Sequence, residues 1–507
     1  TTRRMAPTLV NVVDLKLFET TNSSTLSQGL NFQPGVRVET NCQNCGFQQV
    51  RINGLDGPYT QILIDSRPVF SALSGVYGLE QIPASMIERV EVMRGGGSAL
   101  FGSSAIAGTI NIITKEPLRN SGQLSHTITS LGGSSSFDNN TSLNASLVTD
   151  DHRAGLYIFG QNRYRSGYDY DGDGFTELPK LKNQTVGFRS YLKTSTYSKL
   201  TFEYHHMQEF RRGGDMLNRP PHEAHIAEQL QHSIDGGSLK FDYFSPDEKN
   251  RLSVFASAAN TDRDSYYGPG NDPLKAYGKT TDLTAMGGAQ YVHTFDKCFF
   301  MPSDLTAGLE YNRDRLKDNM WGYNRHTDQT VNIYSAFLQN EWKNDRWGIL
   351  IGGRLDKHNM VDNVIFSPRA NLRFNPTQNI NLRLSYSSGF RAPQAFDEDM
   401  HIENVGGTVA MIERAKDLKE EKSQSFSVSA DMYHRFGAFQ TNLLIEGFYT
   451  RLTDVFVLGK PYDRGDGILV KTRSNGPGAK VMGLTLEGKV AYLSILQIQA
   501  GLTLQRS

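Results

Sequence analysis

The sequence predicts a transmembrane antiparallel β-barrel of about eighteen strands, preceded by a small α/β domain. Three observations lead to this fold class. Polar and apolar residues alternate from about residue 121 to the end, and the connections between the alternating segments are short and long in turn. The hydrophobic share is only 38%, although the chain contains 22 Tyr and 27 Phe. A membrane barrel needs one apolar face per strand because its lumen is polar, so a hydrophilic composition is compatible with it.

Residues 1–117 have the pattern of a mixed α/β domain. Short apolar runs separated by glycine-containing turns predict strands at Gln49–Ile52, Gln61–Ile64, Ile87–Met93 and Thr109–Ile113. The segment Leu79–Met86 predicts a short helix that leads into the third of these strands. These elements define a first domain that ends at about residue 117.

Residues 118–507 predict the barrel. Strict alternation over Ala370–Phe374 and Leu496–Gln505 places one set of side chains on each face of a sheet. A tilted strand needs roughly 9–11 residues to cross a bilayer. The turn at residues 344–345 is tight, whereas the long connections are residues 165–182, 212–230, 264–280 and 392–422. A soluble β-sandwich also alternates, but its strands are shorter, so the loop asymmetry favours a membrane barrel with long extracellular loops.

Several function classes are excluded by composition and motifs. Lys plus Arg equals Asp plus Glu at 53 each, so no strongly basic surface suits nucleic acid. No apolar run reaches the roughly 18 residues of a transmembrane helix. No nucleophile elbow, P-loop or HExxH motif is present, so we expect no enzyme activity. The chain starts at Thr1 without a signal peptide, which we interpret as a mature or trimmed N-terminus.

Several motifs resemble one family. They are Leu63–Val69, Ile82–Gly95, Gly97–Thr114, Phe390–Pro393, Asp417–Ser423 and Asn475–Glu487. The first three resemble the plug domain of TonB-dependent receptors, and the others resemble barrel motifs of the same family, with Thr485 in place of the first Glu of one motif. The resemblance covers essentially the whole chain. It implies a plug inside the barrel lumen, a multi-pass location in the outer membrane of a Gram-negative bacterium, contact with outer-membrane lipid, and import driven by TonB.

The same resemblance sets further expectations. Barrels of this family have 22 strands, so we expect about four strands to lie beyond the C-terminus of this sequence. No TonB box precedes the plug motifs, so we expect it to have been removed or to lie upstream of Thr1. In the plug, Glu88, Arg89, Glu91 and Arg94 are candidates for charge pairs with the barrel wall.

Two of the three cysteines form a CxxC pair, Cys42 and Cys45. The pair is too little for a zinc site, which needs two more ligands. No βαβ pattern surrounds it, which argues against a thioredoxin-like redox role. In an oxidising envelope we expect a local disulfide between Cys42 and Cys45.

An acidic loop suggests a calcium site. Carboxylates at positions 1, 3 and 5 and a glycine at position 6 copy the first half of an EF-hand loop. The predicted ligands are Asp169, Asp171, Asp173, the Phe175 carbonyl and Glu177. Position 12 is Lys180, so a complete EF-hand is excluded, and a solvated acidic turn is the alternative. Cobalamin transporters of the family look similar in this loop between the third and fourth barrel strands, which implies cobalamin as substrate and calcium as a structural cofactor.

Haem is the rival substrate, followed by ferric siderophores. The resemblance implies a haem-binding role for His401, in the loop after the motif at Phe390–Pro393, but the neighbouring acidic residues 397–399 would repel haem propionates. His222 and His225 form an HxxH pair in another long loop that could bind haem or a metal. A different class of function, an adhesin or gated pore, would not need the plug motifs.

Two plug loops are predicted to face the extracellular side, at residues 41–46 and 71–77. Our candidate substrate contacts in them are Gln43, Asn44, Ser71 and Tyr77. The long extracellular loops also permit a surface lipoprotein that caps the barrel and delivers the ligand.

Overall fold

The computed structural model describes residues 5–42, 44–68, 79–95, 102, 105–269, 276–405, 408–493 and 495–507. The first domain has strands β1 (Val10–Asp14), β2 (Val36–Cys42), β3 (Phe47–Ile52), β4 (Thr60–Ile64), β5 (Arg67–Pro68), β6 (Ile87–Arg94) and β7 (Gly108–Thr114). Its described helices include α1 (Leu15–Thr20) and α2 (Leu26–Leu30), residues 79–81 are also helical, and 3-10 turns lie at Gly57–Tyr59 and Ala84–Met86. Four of the strands coincide with those predicted from the sequence.

A five-stranded sheet forms the centre of this plug domain, in the order β1-β6-β7-β4-β5. β4 and β7 run parallel, and β6 pairs antiparallel with β1 and β7. The strands β2 and β3 form a separate hairpin. The helices pack through Gly29, where an added Cβ would lie 2.3 Å from Phe18 Cε1. The plug core continues into the barrel wall through Tyr157 and Phe448.

Most of the described residues from 121 onward lie in strands. Its strands are β8 (Ser121–Ser130), β9 (Phe137–Val148), β10 (Ala154–Arg165), β11 (Lys180–Ser195), β12 (Ser198–Gly214), β13 (Ile226–Phe244), β14 (Asn250–Pro269), β15 (Tyr277–Cys298), β16 (Met301–Met320), β17 (Arg325–Lys343), β18 (Trp347–His358), β19 (Ile365–Thr377), β20 (Ile380–Arg391), β21 (Glu403–Val405), β22 (Thr408–Arg414), β23 (Glu421–Phe436), β24 (Phe439–Thr453), β25 (Phe456–Leu458), β26 (Tyr462–Asp463), β27 (Leu469–Asn475), β28 (Ala479–Tyr492) and β29 (Leu496–Arg506). Helix α3 (Asp397–Met400) and 3-10 turns at Pro221–Glu223 and Trp321–Tyr323 lie in loops.

Seventeen of the described strands form the barrel. They are β8 to β20, β23, β24, β28 and β29, and consecutive members pair antiparallel. This confirms the predicted fold class of a large membrane barrel with an N-terminal plug. Among the described helices, none is both long enough and apolar enough to cross a membrane.

The two faces of the wall differ as the alternation predicts. On β10 the inward residues Tyr157, Phe159, Gln161, Arg163 and Arg165 are buried. Outward-facing apolar side chains on the other strands are exposed, including Leu309, Leu338, Ile351, Leu384 and Val428. Stacked aromatic rings, such as Trp347 and Phe374 at 4.3 Å between centroids, lie at the end with tight turns. Apolar outward surface and aromatic rings at its edge are typical of a wall that faces lipid.

Two predicted loops are shorter than the sequence indicated. The connection between β12 and β13 begins after Gly214 and ends before Ile226, and β14 continues to Pro269. The longest strand, β15, has 22 residues, well above the roughly 9–11 needed for a bilayer crossing. The wall therefore extends beyond the membrane, and residues assigned to loops belong to strands.

Candidate functional site

The extracellular mouth is partly filled by two loops. Residues 392–420 and 454–478 contribute a small sheet of order β21-β22-β27-β25, with β26 paired to β27. β22 and β27, which come from different loops, run parallel. Ile402 and Met411 from this region belong to one buried apolar cluster with Cys45 and Phe47 of the plug and Tyr267 of the wall. The loops therefore contact the plug directly.

Four potential metal ligands meet at this contact: Cys42, Cys45, Glu228 and His401. Their donor atoms all lie within 4.8 Å of one another. The Cys42 thiol donates to Glu228 Oε2 at 3.2 Å, and Cys45 Sγ lies 3.5 Å from His401 Nε2. His401 Nε2 is 3.5 Å from Glu228 Oε2. The plug thus supplies two sulfur atoms, strand β13 a carboxylate and the loop after α3 an imidazole.

The turn that carries the cysteines is held by backbone contacts. Gly46 N donates to Cys42 O at 3.0 Å, and Gly46 has a φ of 68°, a conformation that favours glycine. Arg211 Nη1 of the wall donates to Gly46 O at 3.3 Å. A Cβ on Gly213 would lie 1.8 Å from Asn44 O, so the turn reaches the wall only because β12 has a glycine there.

The cluster carries paired charges. The hydrogen bond with Cys45 lowers the pKa of Cys42 to about 7, against the effect of burial. Burial alone would lower the pKa of His401, but its hydrogen bonds to Cys42 and Glu228 raise that pKa to about 10. The imidazolium therefore faces the Cys42 sulfur and the Glu228 carboxylate.

The expected Cys42–Cys45 disulfide is not present in the structure, which has both residues as thiols. The Cys42 thiol donates to Glu228, Cys45 Sγ lies near His401 Nε2, and the two sulfur atoms also lie within 4.8 Å of each other. The disulfide itself stays a prediction. The barrel supplies the two further ligands, Glu228 and His401, that the CxxC pair lacked in sequence.

The predicted substrate-contact residues differ in whether the structure describes them and in where they lie. Gln43, Ser71 and Tyr77 lie outside the described residues. Asn44 is half-buried against β12, and the His401 side chain is only 15% exposed. The structure therefore places Asn44 and His401 in the plug–barrel contact. The HxxH pair is divided: His222 Nδ1 lies 2.8 Å from the Tyr277 hydroxyl, whereas His225 Nδ1 pairs with Asp215.

The acidic loop lies between β10 and β11, the third and fourth barrel strands, as predicted. Carboxylate oxygens of Asp169, Asp171 and Glu177 lie within 4.8 Å of one another. Asp169 accepts from Gly172 N at 2.7 Å and Gly174 N at 2.9 Å, which curls the loop around its carboxylate. Asp173 is not in this group.

At that loop's far end, Asp173 Oδ1 accepts from Phe175 N at 2.8 Å. Three of the five predicted ligands, Asp169, Asp171 and Glu177, are therefore close together.

Buried ion pairs attach the plug to the wall, and Arg94 at the end of β6 forms one of them. Arg94 Nη2 lies 2.8 Å from both Glu446 Oε2 and Glu487 Oε1, and the three side chains are 1–3% exposed. Arg89 and Glu91 pair with each other at 2.9 Å instead. The predicted ion pair with the barrel wall is thus confirmed for Arg94 and wrong for Arg89 and Glu91, which pair within the plug.

A second attachment, which the sequence analysis missed, centres on Glu80. Its carboxylate lies 2.8 Å from Arg211 Nη1, 3.1 Å from Arg165 Nη1 and 3.4 Å from Arg163 Nη1. Burial alone would raise the pKa of Glu80, but the three arginines lower it to about 2. The carboxylate is therefore ionised and joins three wall residues to the plug. The sequence does contain an indication of this site. Arg163 and Arg165 are two positions apart on a predicted strand, so both point into the lumen and need a negative charge there.

Comparisons with known proteins agree with this architecture. Residues 113–507 match the TonB dependent receptor-like β-barrel family, and residues 2–109 match the TonB-dependent receptor plug domain. The vitamin B12 transporter BtuB of Vibrio vulnificus is 23% identical over 403 residues, 76% of this chain and 60% of that protein. The ferric enterobactin receptor of Pseudomonas aeruginosa is 36% identical over 107 residues, 18% of this chain and 14% of that protein. The aligned part of the chain thus spans at most about 60% of these relatives.

Solved structures have the same fold. The siderophore receptor PirA of Acinetobacter baumannii superposes with a TM-score of 0.81 at 18% identity, covering 99% of this chain and 80% of that one. A mutant ferric enterobactin receptor PfeA of Pseudomonas aeruginosa, in complex with enterobactin, gives 0.80 at 19%, with 99% and 81% covered. The family match covers most of the chain and brings with it a location in the outer membrane of a Gram-negative bacterium. The chain belongs to the TonB-dependent receptor family.

Proposed function

We propose that this protein imports a bulky nutrient across the outer membrane in a cycle driven by TonB. The observation that carries the proposal is a folded plug inside the lumen, attached to the wall by buried ion pairs at Arg94 and Glu80. A passive pore or an adhesin gains nothing from a lumen filled in this way. A transporter that opens under force does, because ion pairs close the lumen at rest and separate when the plug moves.

Ferric siderophores are the substrate class that we favour. Relatives and structures named for siderophores or enterobactin recur among the matches, and the iron-regulated outer membrane virulence protein of Vibrio cholerae is 26% identical over 410 residues. Cobalamin is the second candidate, supported by the BtuB relative. Haem is third, because the His401 imidazole is buried in the plug contact. Gln43, Asn44, Ser71 and Tyr77 remain the proposed substrate contacts, and a surface lipoprotein remains a proposed partner.

Uptake and binding measurements test this proposal. Cells that express the full-length protein should accumulate ferric enterobactin, and deletion of TonB should abolish this uptake while leaving binding to the cell surface intact. Purified protein should bind ferric enterobactin at least about tenfold more tightly than cyanocobalamin or haem, a difference of ~1.4 kcal/mol. Uptake at an unchanged rate without TonB would contradict energised import. Preferential binding of cyanocobalamin would reverse the choice of substrate and leave the transport proposal standing.

We further propose that the acidic loop between β10 and β11 binds calcium. Asp169, Asp171 and Glu177 supply hard oxygen donors, the ligand type that Ca²⁺ prefers. The ion would offset the repulsion between these carboxylates and order the loop. With Ca²⁺ present, the loop should resist proteolysis, and chelation should remove that protection.

The matched variants are Asp169→Asn and Asp150→Asn, because Asp150 is an exposed aspartate in the turn between β9 and β10. Asp169→Asn should weaken Ca²⁺ binding at least about tenfold by calorimetry, since it removes a charged ligand. Asp150→Asn should bind as wild type does. Equal cleavage of the wild-type loop with and without chelator would refute the calcium site.

A further inference from the structure

We propose that Cys42, Cys45, Glu228 and His401 form a binding site for one divalent transition-metal ion of the Zn²⁺ class. The site is distinct from the acidic loop and does not depend on which nutrient is imported. The plug contributes Cys42 and Cys45, and the barrel contributes Glu228 and His401.

The donor types select the class of ion. Two sulfurs, one imidazole nitrogen and one carboxylate oxygen are ligands for zinc and its borderline-soft neighbours, whereas Ca²⁺ and Mg²⁺ prefer oxygen alone. Four protein ligands also match the coordination number of structural zinc sites. The chemistry therefore differs from that of Asp169, Asp171 and Glu177.

The distances fit a tetrahedral ion. Ligands at about 2.0–2.3 Å from zinc lie about 3.3–3.8 Å from one another at the corners of a tetrahedron. The measured separations are 3.2 Å from Cys42 Sγ to Glu228 Oε2, 3.5 Å from Cys45 Sγ to His401 Nε2, and 3.5 Å from His401 Nε2 to Glu228 Oε2. Three edges of the tetrahedron are thus already within a few tenths of an ångström of the required length.

The surroundings hold the ligands in place. The His401 ring makes edge contacts with Phe47 at 5.6 Å and Tyr267 at 5.4 Å between centroids. The Gly46–Cys42 backbone hydrogen bond fixes the turn between the cysteines. Buried apolar neighbours limit water access, and such outer contacts orient ligands in known metal sites.

The division of ligands has a mechanical consequence. With two ligands on the plug and two on the barrel, a bound ion joins the two domains on the extracellular side of the lumen. Arg94 joins them at another part of the wall, and Arg211 links the Glu80 attachment to the Gly46 carbonyl beside the cysteine turn. Movement of the plug away from the wall would separate the four ligands into two pairs, each too small to hold zinc tightly. The ion would therefore stabilise the closed plug.

Cobalt titration of the full-length protein in detergent, reduced and stripped of metal, tests the site. We expect one equivalent of Co²⁺ to give sulfur-to-cobalt charge-transfer absorption and the visible bands of a tetrahedral ion, and one equivalent of Zn²⁺ to remove both. Cys42→Ser and Cys45→Ser should each reduce the charge-transfer absorption by about half or more, because one of two sulfurs is lost. Glu228→Gln should weaken affinity but retain that absorption.

Cys298→Ser provides the matched control, because Cys298 lies at the end of β15, outside the cluster. This variant should bind Co²⁺ as wild type does, and heat-modifiable electrophoretic mobility should confirm that every variant has a folded barrel. Absence of sulfur-to-cobalt absorption in folded, reduced wild-type protein would overturn the proposal. So would a spectrum that Cys42→Ser and Cys45→Ser leave unchanged.

Discussion

Replacing Arg94 by alanine is expected to loosen the plug and make the barrel leak ions. In the wild-type protein the Arg94 guanidinium lies between Glu446 and Glu487, and all three side chains are 1–3% exposed. Without it, two buried carboxylates lose their shared cation. Removing one partner of a buried ion pair costs about 3–5 kcal/mol. Single-channel recordings in planar bilayers should therefore show openings that wild-type protein lacks, and the plug should be cleaved faster by protease.

Arg89→Ala is the matched control on the same strand. The Arg89 side chain is 43% exposed and pairs with Glu91 inside the plug, so its loss should cost less than about 1 kcal/mol. Adding Glu446→Gln to Arg94→Ala should restore part of the closed state, because one of the two negative charges is then removed. If Arg94→Ala conducts no more than Arg89→Ala, the ion pair does not hold the plug.

The elements that could be predicted from the sequence are those with local, repeated patterns. The alternation over Ala370–Phe374 lies within β19, and the apolar run Ile87–Met93 lies within β6. In a strand, successive side chains point to opposite faces, so a strand with one buried face shows apolar residues at every second position. Residues that are close in the sequence are enough to show this pattern. Strand ends were less accurate, because polar residues continue a strand above the membrane, as in β14 to Pro269.

The metal cluster could not be predicted, because its members are far apart in the chain. Cys42 and Glu228 are separated by 186 positions, and Cys45 and His401 by 356. The CxxC spacing was visible, but its two other ligands depend on how the plug sits in the barrel and how the loop after β20 folds inward. The sequence predicts a disulfide because the CxxC spacing shows only the local pair of cysteines.

The inward-folded loops were also missed. The sequence predicts residues 392–422 as one long connection, yet Thr408–Arg414 forms β22 and pairs with β27 from another loop. The buried side chains of Val409 and Met411 alternate with less buried neighbours, which is a local strand signal. A stretch of seven residues in a polar loop was too short to stand out from its surroundings.

Changing Glu80 to glutamine is expected to release a second attachment of the plug, with a distinct dependence on pH. The Glu80 carboxylate forms ion pairs with Arg163, Arg165 and Arg211, whose side chains are 1–7% exposed. Glutamine keeps the shape but removes the charge, leaving three buried cations with less compensation. We expect a cost of about 3 kcal/mol, seen as faster hydrogen exchange across the plug sheet. Glu88→Gln is the control, because Glu88 is an exposed glutamate of the plug.

The pH dependence separates the charge of Glu80 from its packing. The pKa of Glu80 in the folded protein is about 2, whereas an unfolded glutamate titrates near ~4.3. A lowered folded pKa gives stability that is fully present above the unfolded value and is lost as the pH falls toward the folded one. Between pH ~4 and ~2, the protection of the plug sheet from hydrogen exchange should therefore decline in wild-type and Glu88→Gln protein as Glu80 is protonated. The part of this decline that comes from Glu80 should be absent in Glu80→Gln protein. Identical acid profiles for all three proteins would mean that the arginines do not hold Glu80 ionised, and that its contribution comes from packing alone.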